Sequence, residues 1–173
     1  MKLYDNPYLK DLDSHPLEAT IYSKVKGDKS FEGVDAKEVF HLKFNEVEKI
    51  KDAFNNLTDD NINFIFKTIW GKEINHNKVR ALEFYRAFNY VVKEVEDIYK
   101  LEEKLGRKPN QKLINAGIKK MSIFGSLNLI DDVAQKYHFR PKDVEEWNYS
   151  EVYWYALKIK TENEIQKNLS NEK

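Results

Sequence analysis

The strongest constraint on how this chain folds is a 3.6-residue rhythm between about Asn77 and Leu105. Phe84, Tyr85, Phe88, Val91, Val92, Val95, Ile98 and Tyr99 fall within a sector of about 140° when each residue is turned by 100°. Arg86, Lys93, Glu94, Glu96 and Lys100 take the other sectors. The pattern predicts an amphipathic helix of about seven turns, roughly 40 Å long, with Gly106 as a left-handed cap and Pro109 as its stop. A helix with one long apolar face needs other elements against it. At 173 residues the chain can bury about 70% of its unfolded surface, enough for a core without staples.

The flanking segments supply those elements. Asn45 with Glu48 reads as a capping box opening a helix that carries Val47, Ile50, Phe54 and Leu57 and breaks at Asn55-Asn56. Thr58 offers the next N-cap, with Asp59 and Asp60 at the positive end of the helix dipole and Ile62, Ile65, Phe66 and Ile69 as the stripe before Gly71. Downstream, Leu113, Ile114, Ile118 and Met121 predict a short helix closed near Gly125. Leu127, Ile130, Val133, Ala134 and Tyr137 predict another. Arg140-Pro141 then sets a short segment, Pro141 to Trp147, apart from a last helix capped by Ser150 and running towards Leu169. At the other end, residues 1 to 16 follow neither period and read as an extended arm. Leu17, Ala19, Ile21, Ser23 and Val25 alternate with polar neighbours, as do Phe40, Leu42 and Phe44, across a loop with Gly27 and Gly33. The expectation is a mainly α fold: a helical bundle around one long central helix, with an extended N-terminal arm and a small β-hairpin from about Glu18 to Phe44. Residues 1–44 then form arm and hairpin, and 45–173 the helical domain.

Chemistry is harder to find. The charge is balanced, 29 basic against 29 acidic residues, which removes the global attraction that a nucleic-acid coat or an anionic-membrane binder uses. Cysteine is absent, so thiol nucleophiles and thiolate metal sites are excluded. His15, His41, His76 and His138 stand in four different elements, without the i,i+4 spacing that aims two imidazoles at one ion. Asp59-Asp60 and Asp131-Asp132 lie at or near helix starts, where carboxylates stabilise the dipole. There is no nucleophile elbow and no Gly-rich phosphate loop. The reading is a non-enzymatic protein with no cofactor and no metal. Met1 to Pro7 is too polar for a signal peptide and no apolar run reaches membrane-span length, so no membrane is expected and the place of action is the cytosol or an assembly built there.

Two constellations point to binding. The run from Val133 to Trp147 has the outline of a helix-turn-helix, with Phe139 in the turn and Val144 and Trp147 inward. Its candidate recognition helix, Pro141-Lys142-Asp143-Val144-Glu145-Glu146, carries one positive and three negative charges and opposes phosphate contact. A DNA-binding regulator is the alternative reading, and two packed helices the plainer one. The second constellation is aromatic: Trp147, Tyr149, Tyr153, Trp154 and Tyr155. In the last helix Val152, Tyr155, Ala156 and Ile159 make one stripe, while Trp154, Leu157 and Ile165 face the other way, so one core cannot cover both. Trp and Tyr dominate interface hot spots. Partner-binding residues are therefore expected at Trp147, Tyr149, Tyr153, Trp154 and Ile165, with Tyr4 and Tyr8 on an arm that folds over the second stripe or embraces a neighbour.

Two segments carry a family resemblance. Glu38-Val39-Phe40-His41-Leu42-Lys43-Phe44-Asn45-Glu46-Val47-Glu48-Lys49-Ile50-Lys51, a strand turning into an amphipathic helix, resembles the opening of small bacteriophage tail assembly chaperones. Val133-Ala134-Gln135-Lys136-Tyr137 through Pro141 to Val152 is similar to the end of such proteins, where a Pro-led turn and a Trp-centred corner precede the last helix. The resemblance covers about a third of the chain and does not extend to the long helix or the arm. It implies a non-enzymatic helper of tail morphogenesis, or a virion neck or tail component, that oligomerises and binds tape-measure, neck or tail proteins in the host cytoplasm or the virion. A bias of 25 lysines over 4 arginines, with 16 asparagines, fits an AT-rich genome of that kind.

Overall fold

The computed structural model describes residues 8–9, 20, 22–106 and 114–171. It is mainly helical, with a small two-stranded antiparallel hairpin. Six α-helices follow the strands β1 (Ser30–Phe31) and β2 (Val34–Asp35) among the described residues. They are α1 (Phe44–Asn55), α2 (Asp59–Trp70), α3 (Ala81–Leu105), α4 (Leu127–Tyr137), α5 (Pro141–Val144) and α6 (Tyr149–Asn171), with 3-10 turns at Val39–His41 and Ile118–Phe124. The chain forms two compact units, Met1–Val39 with Lys49–Asp97, and Phe40–Glu48 with Ile98–Lys173. α1 and α3 contribute residues to both.

The hairpin is shorter than the alternation predicts and lies inside the expected loop. Ser30 pairs with Asp35 and Phe31 with Val34. Glu32 and Gly33 both take positive φ, 46° and 74°, the two-residue connection whose twist matches antiparallel strands. Tyr22 is helical and Phe40 lies in a 3-10 turn, while Leu17, Ala19 and Ile21 lie outside the described residues. What fixes the hairpin is Phe31, fully buried, its ring 4.8 Å edge-on to Phe66, which stacks on Phe84 at 5.4 Å. The Trp70 indole N–H donates to the Lys29 carbonyl at 2.9 Å, so the last turn of α2 holds the loop as well. α2 itself starts and stops as its sequence requires. Thr58 accepts from the Asn61 N–H, and Gly71 ends the helix at φ 68°.

Gly27 has a different task from a loop glycine. The segment Ser23–Asp28 lies against α3. The Asn89 amide donates to the carbonyls of Ser23 (3.1 Å) and Val25 (2.8 Å), and the Asp28 N–H to that of Arg86 (3.0 Å). A Cβ on Gly27 would stand 2.6 Å from the Tyr90 nitrogen and 2.8 Å from its Cα, both backbone. Gly27→Ala is expected to destabilise by about 1–3 kcal/mol through forced backbone movement, measurable by urea unfolding. An unchanged midpoint would contradict the close approach.

Half-buried Glu94, on α3, has its carboxyl pushed up, first by burial and then by the Glu38 carboxylate. Tyr90 nearby is pushed up to about 12, mainly by burial, with Glu94 second. A carboxyl whose folded pKa lies above its unfolded value contributes stability below the unfolded pKa and loses it as pH rises through the folded one. Glu94→Gln is therefore expected to melt higher than wild type at pH 7, with the gap closing towards about pH 4. Equal gaps at the two pH values would contradict this.

Candidate interaction surface

In the second unit two helix N-termini are tied together. Leu42–Phe44 and Trp147–Tyr149 pair antiparallel across Lys43 and Asn148. The Phe44 N–H donates to the Trp147 carbonyl and the Tyr149 N–H to the Leu42 carbonyl, both at 2.8 Å. Each start is closed by a glutamate three residues on. Glu46 accepts from the Lys43 N–H and Glu151 from the Asn148 N–H, both at 3.1 Å. These replace the expected caps. Asn45 instead donates to Glu146 at 2.9 Å, and Ser150 is buried with its Oγ 3.2 Å from the His41 Nδ1. Segments far apart in the sequence, 42–46 and 145–151, thus meet at this junction.

Tyr149 is the centre of the junction. It is fully buried, stacks on Phe44 at 5.2 Å and 10°, and meets Phe40 edge-on at 5.9 Å. Its hydroxyl donates to the Glu102 carboxylate of α3. Burial above all, then the Glu102 charge, drives that hydroxyl well above the ordinary tyrosine range. Tyr153, 2% exposed, lies edge-on to Phe40 at 5.8 Å. Tyr149 and Tyr153 are core residues, because the first turn of α6 is covered by the 3-10 turn and the start of α1. They are withdrawn as partner anchors. Trp147 is half-buried in an aromatic corner with Phe139 (4.9 Å) and Tyr155 (5.6 Å). Tyr4 lies outside the described residues. Tyr8 lies under the Arg80 guanidinium, 3.9 Å from its ring centre, and Leu9 donates to the Val79 carbonyl at 2.9 Å. The described part of the arm is thus engaged within the first unit.

The outward face of α6 is another matter. Val152, Tyr153, Ala156 and Ile159 are buried, as are Ile130, Val133 and Ala134 of α4, which packs against it. On the opposite side Trp154 is 60% exposed, Ile165 52% and Leu169 53%, with Leu157 half-buried and Thr161 exposed between them. Ile159 is the last buried residue among those described. The helix runs on to Asn171, about three further turns, and a helix that short is marginal in water when nothing covers it. The flanks carry Lys158, Lys160, Glu162 and Glu164. Glu162 is drawn to Lys136 of α4 at 2.9 Å, which holds its carboxyl below the ordinary range. Lys160 donates to the carbonyls of Lys104 and Gly106 and so caps α3. Gly106 is not left-handed.

A second apolar area was hidden from the sequence. Ile118–Phe124 is a 3-10 turn without a buried residue, between the left-handed Gly117 and Gly125, which also takes a positive φ of 49°. Ile114, Ile118, Met121, Phe124 and Leu127 are exposed, and Ile123 is 79% exposed. The predicted stripe through Ile114, Ile118 and Met121 does not pack, and Leu113 lies outside the described residues. Adjacent Ile123 and Phe124 put apolar groups on more than one side, a signal against a one-sided helix.

The helix-turn-helix outline also shrinks. α5 is a single turn, about 6 Å long, its Asp143 gripped by the Arg140 guanidinium through two bonds of 2.8 and 2.9 Å. It offers little to a groove about 12 Å wide. Among the described residues no three His, Asp or Glu gather in metal-binding geometry, and no helix is long and apolar enough to cross a membrane. A cleft of about 210 Å³ opens among Leu105, Leu129, Asp132, Ala156, Ile159 and Lys160, without a convergent polar set. No protein-family model matches the chain, and neither a curated protein nor a solved structure is significantly similar to it.

Proposed function

We propose that this chain is a non-enzymatic bacteriophage morphogenesis protein, a tail assembly chaperone or a neck or tail component of the virion, that works through protein contacts. One observation carries the contact reading: α6 packs one face and leaves Trp154, Ile165 and Leu169 more than half exposed on the other. Large apolar side chains aligned on an otherwise charged helix favour a protein partner. The phage assignment draws on the two resembling segments and on the lysine and asparagine bias, and its partners are tape-measure, neck or tail proteins together with further copies of the chain. Inactivating the gene in its phage and imaging the particles tests the reading. Particles with missing or unjoined tails are expected, restored by the wild-type chain and not by one carrying Trp154→Ala and Ile165→Glu. Complete, infectious particles without the protein would contradict it.

A further inference from the structure

We infer that the outer stripe of α6 is covered by the same stripe of a second copy, the two helices running antiparallel about a two-fold axis at Thr161. This rests on α6 being a contact surface and names its partner. The first support is the order of side chains, which reads alike in both directions. Leu157 and Ile165 stand four residues on either side of Thr161, and Trp154 lies seven before it, with Asn168 and Leu169 seven and eight after it. An antiparallel copy sets Leu157 level with Ile165 and Trp154 level with Asn168 and Leu169, twice over, with the small Thr161 where the helices approach most closely.

The second support is charge. The turn before Thr161 carries Lys158 and Lys160, and the turn after it Glu162 and Glu164. At 100° per residue Lys158 and Glu162 share one edge of the stripe, and Lys160 and Glu164 the other. An antiparallel copy brings the basic turn of each chain beside the acidic turn of the other along the same edge. A parallel copy sets basic turn against basic turn. Within one chain the i,i+4 pairs are loose, 4.0 Å for Lys158–Glu162 and 3.7 Å for Lys160–Glu164. Glu162 is also held by Lys136, and Lys160 by the carbonyls of Lys104 and Gly106, so each cross-chain pair brings an exposed charge, Lys158 or Glu164, to one fixed in place by its own chain. A third support is length: past Glu162 every residue of α6 from 163 to 170 is exposed among the described residues, and an antiparallel partner centred on Thr161 reaches along most of that stretch. From Trp154 to Leu169 the stripe is about 23 Å long. One helix on another is smaller than the usual 800 Å² or so per partner, which suits a dissociation constant of roughly micromolar order.

Sedimentation equilibrium of the full chain, from low to high micromolar, is expected to show monomer and dimer in exchange. Trp154→Ala should weaken the dimer at least about 30-fold with an unchanged circular dichroism melt, since Trp154 touches the solvent side of its helix. Because the chain has no cysteine, direction can be read with single thiols. An oxidised equimolar mixture of Leu157→Cys and Ile165→Cys chains should form the mixed disulfide in preference to either symmetric one. Symmetric disulfides in excess would overturn the antiparallel dimer. A chain monomeric at every concentration would overturn the second copy as partner, whereas the contact reading fails on a different result, full particle assembly with the Trp154 and Ile165 substitutions.

Discussion

Tyr149→Ala is expected to cost about 3–5 kcal/mol of unfolding free energy, the largest effect of any substitution considered. The residue is fully buried between Phe44 and Phe40, its N–H makes one of the backbone bonds that join the segments leading into α1 and α6, and its hydroxyl bonds to Glu102. Removing the ring leaves a cavity at the junction and takes one hydrogen bond from that carboxylate. Tyr149→Phe separates the two contributions, since it keeps the ring and loses only a hydrogen bond to a charged acceptor, about 1.5–3 kcal/mol. The pH dependence has a defined sign. The folded hydroxyl titrates above its unfolded value, so its contribution is complete below about pH 10 and falls as pH rises beyond it. Tyr149→Phe should flatten that alkaline loss. Denaturant melts at pH 7 and pH 11 measure both effects, and a cost below about 1 kcal/mol for Tyr149→Ala would contradict the structural role.

The substitutions Trp154→Ala and Ile165→Glu together should do the reverse. Both side chains are more than half exposed, so the fold should change by no more than about 0.5 kcal/mol each. Any association through α6 should lose at least about 2 kcal/mol, a hot-spot tryptophan and a central aliphatic being removed at once. A stable, fully associating variant would mean that the stripe is ordinary surface. A destabilised one would mean that the stripe packs within the chain. The contrast with Tyr149 is the point, because the two aromatic residues are five positions apart on one helix and face opposite ways.

That contrast was only half legible in the sequence. Period 3.6 separates the two faces of α6, and it also locates α3, the Thr58 cap and the Gly71 stop, because each depends on local spacing. Which face is core depends on contacts distant in sequence. Tyr149 and Tyr153 are buried by Phe40 and Phe44, about a hundred residues earlier, and no window across α6 contains that information. The hairpin shows the same limit in reverse. The alternation around Leu17–Val25 and Phe40–Phe44 resembled strands, but the positive-φ pair Glu32-Gly33 closes a tighter turn, and Phe31 is drawn into the rings of Phe66 and Trp70. Helix starts were missed by one or two residues where the cap is reciprocal, since Glu46 and Glu151 serve backbone N–H groups paired across the junction. Nothing in a sequence distinguishes a loop glycine from one that, like Gly27, lies on another helix. The exposed Ile118–Phe124 turn lies where Leu113, Ile114, Ile118 and Met121 predict a short helix, because apolar residues near helical spacing look alike whether or not anything packs on them.

The central claim is that the outer stripe of α6 is covered by a second copy when the protein is at work. Hydrogen exchange of the amides from Asn163 to Ser170, followed as the concentration of the full chain is raised, tests it most directly, because every residue of that stretch is exposed among the described residues. Protection is predicted to rise at least tenfold across the monomer–dimer transition and to stay at the monomer level in Trp154→Ala. Exchange that is equally fast at every concentration, or equally slow in the variant, would contradict it.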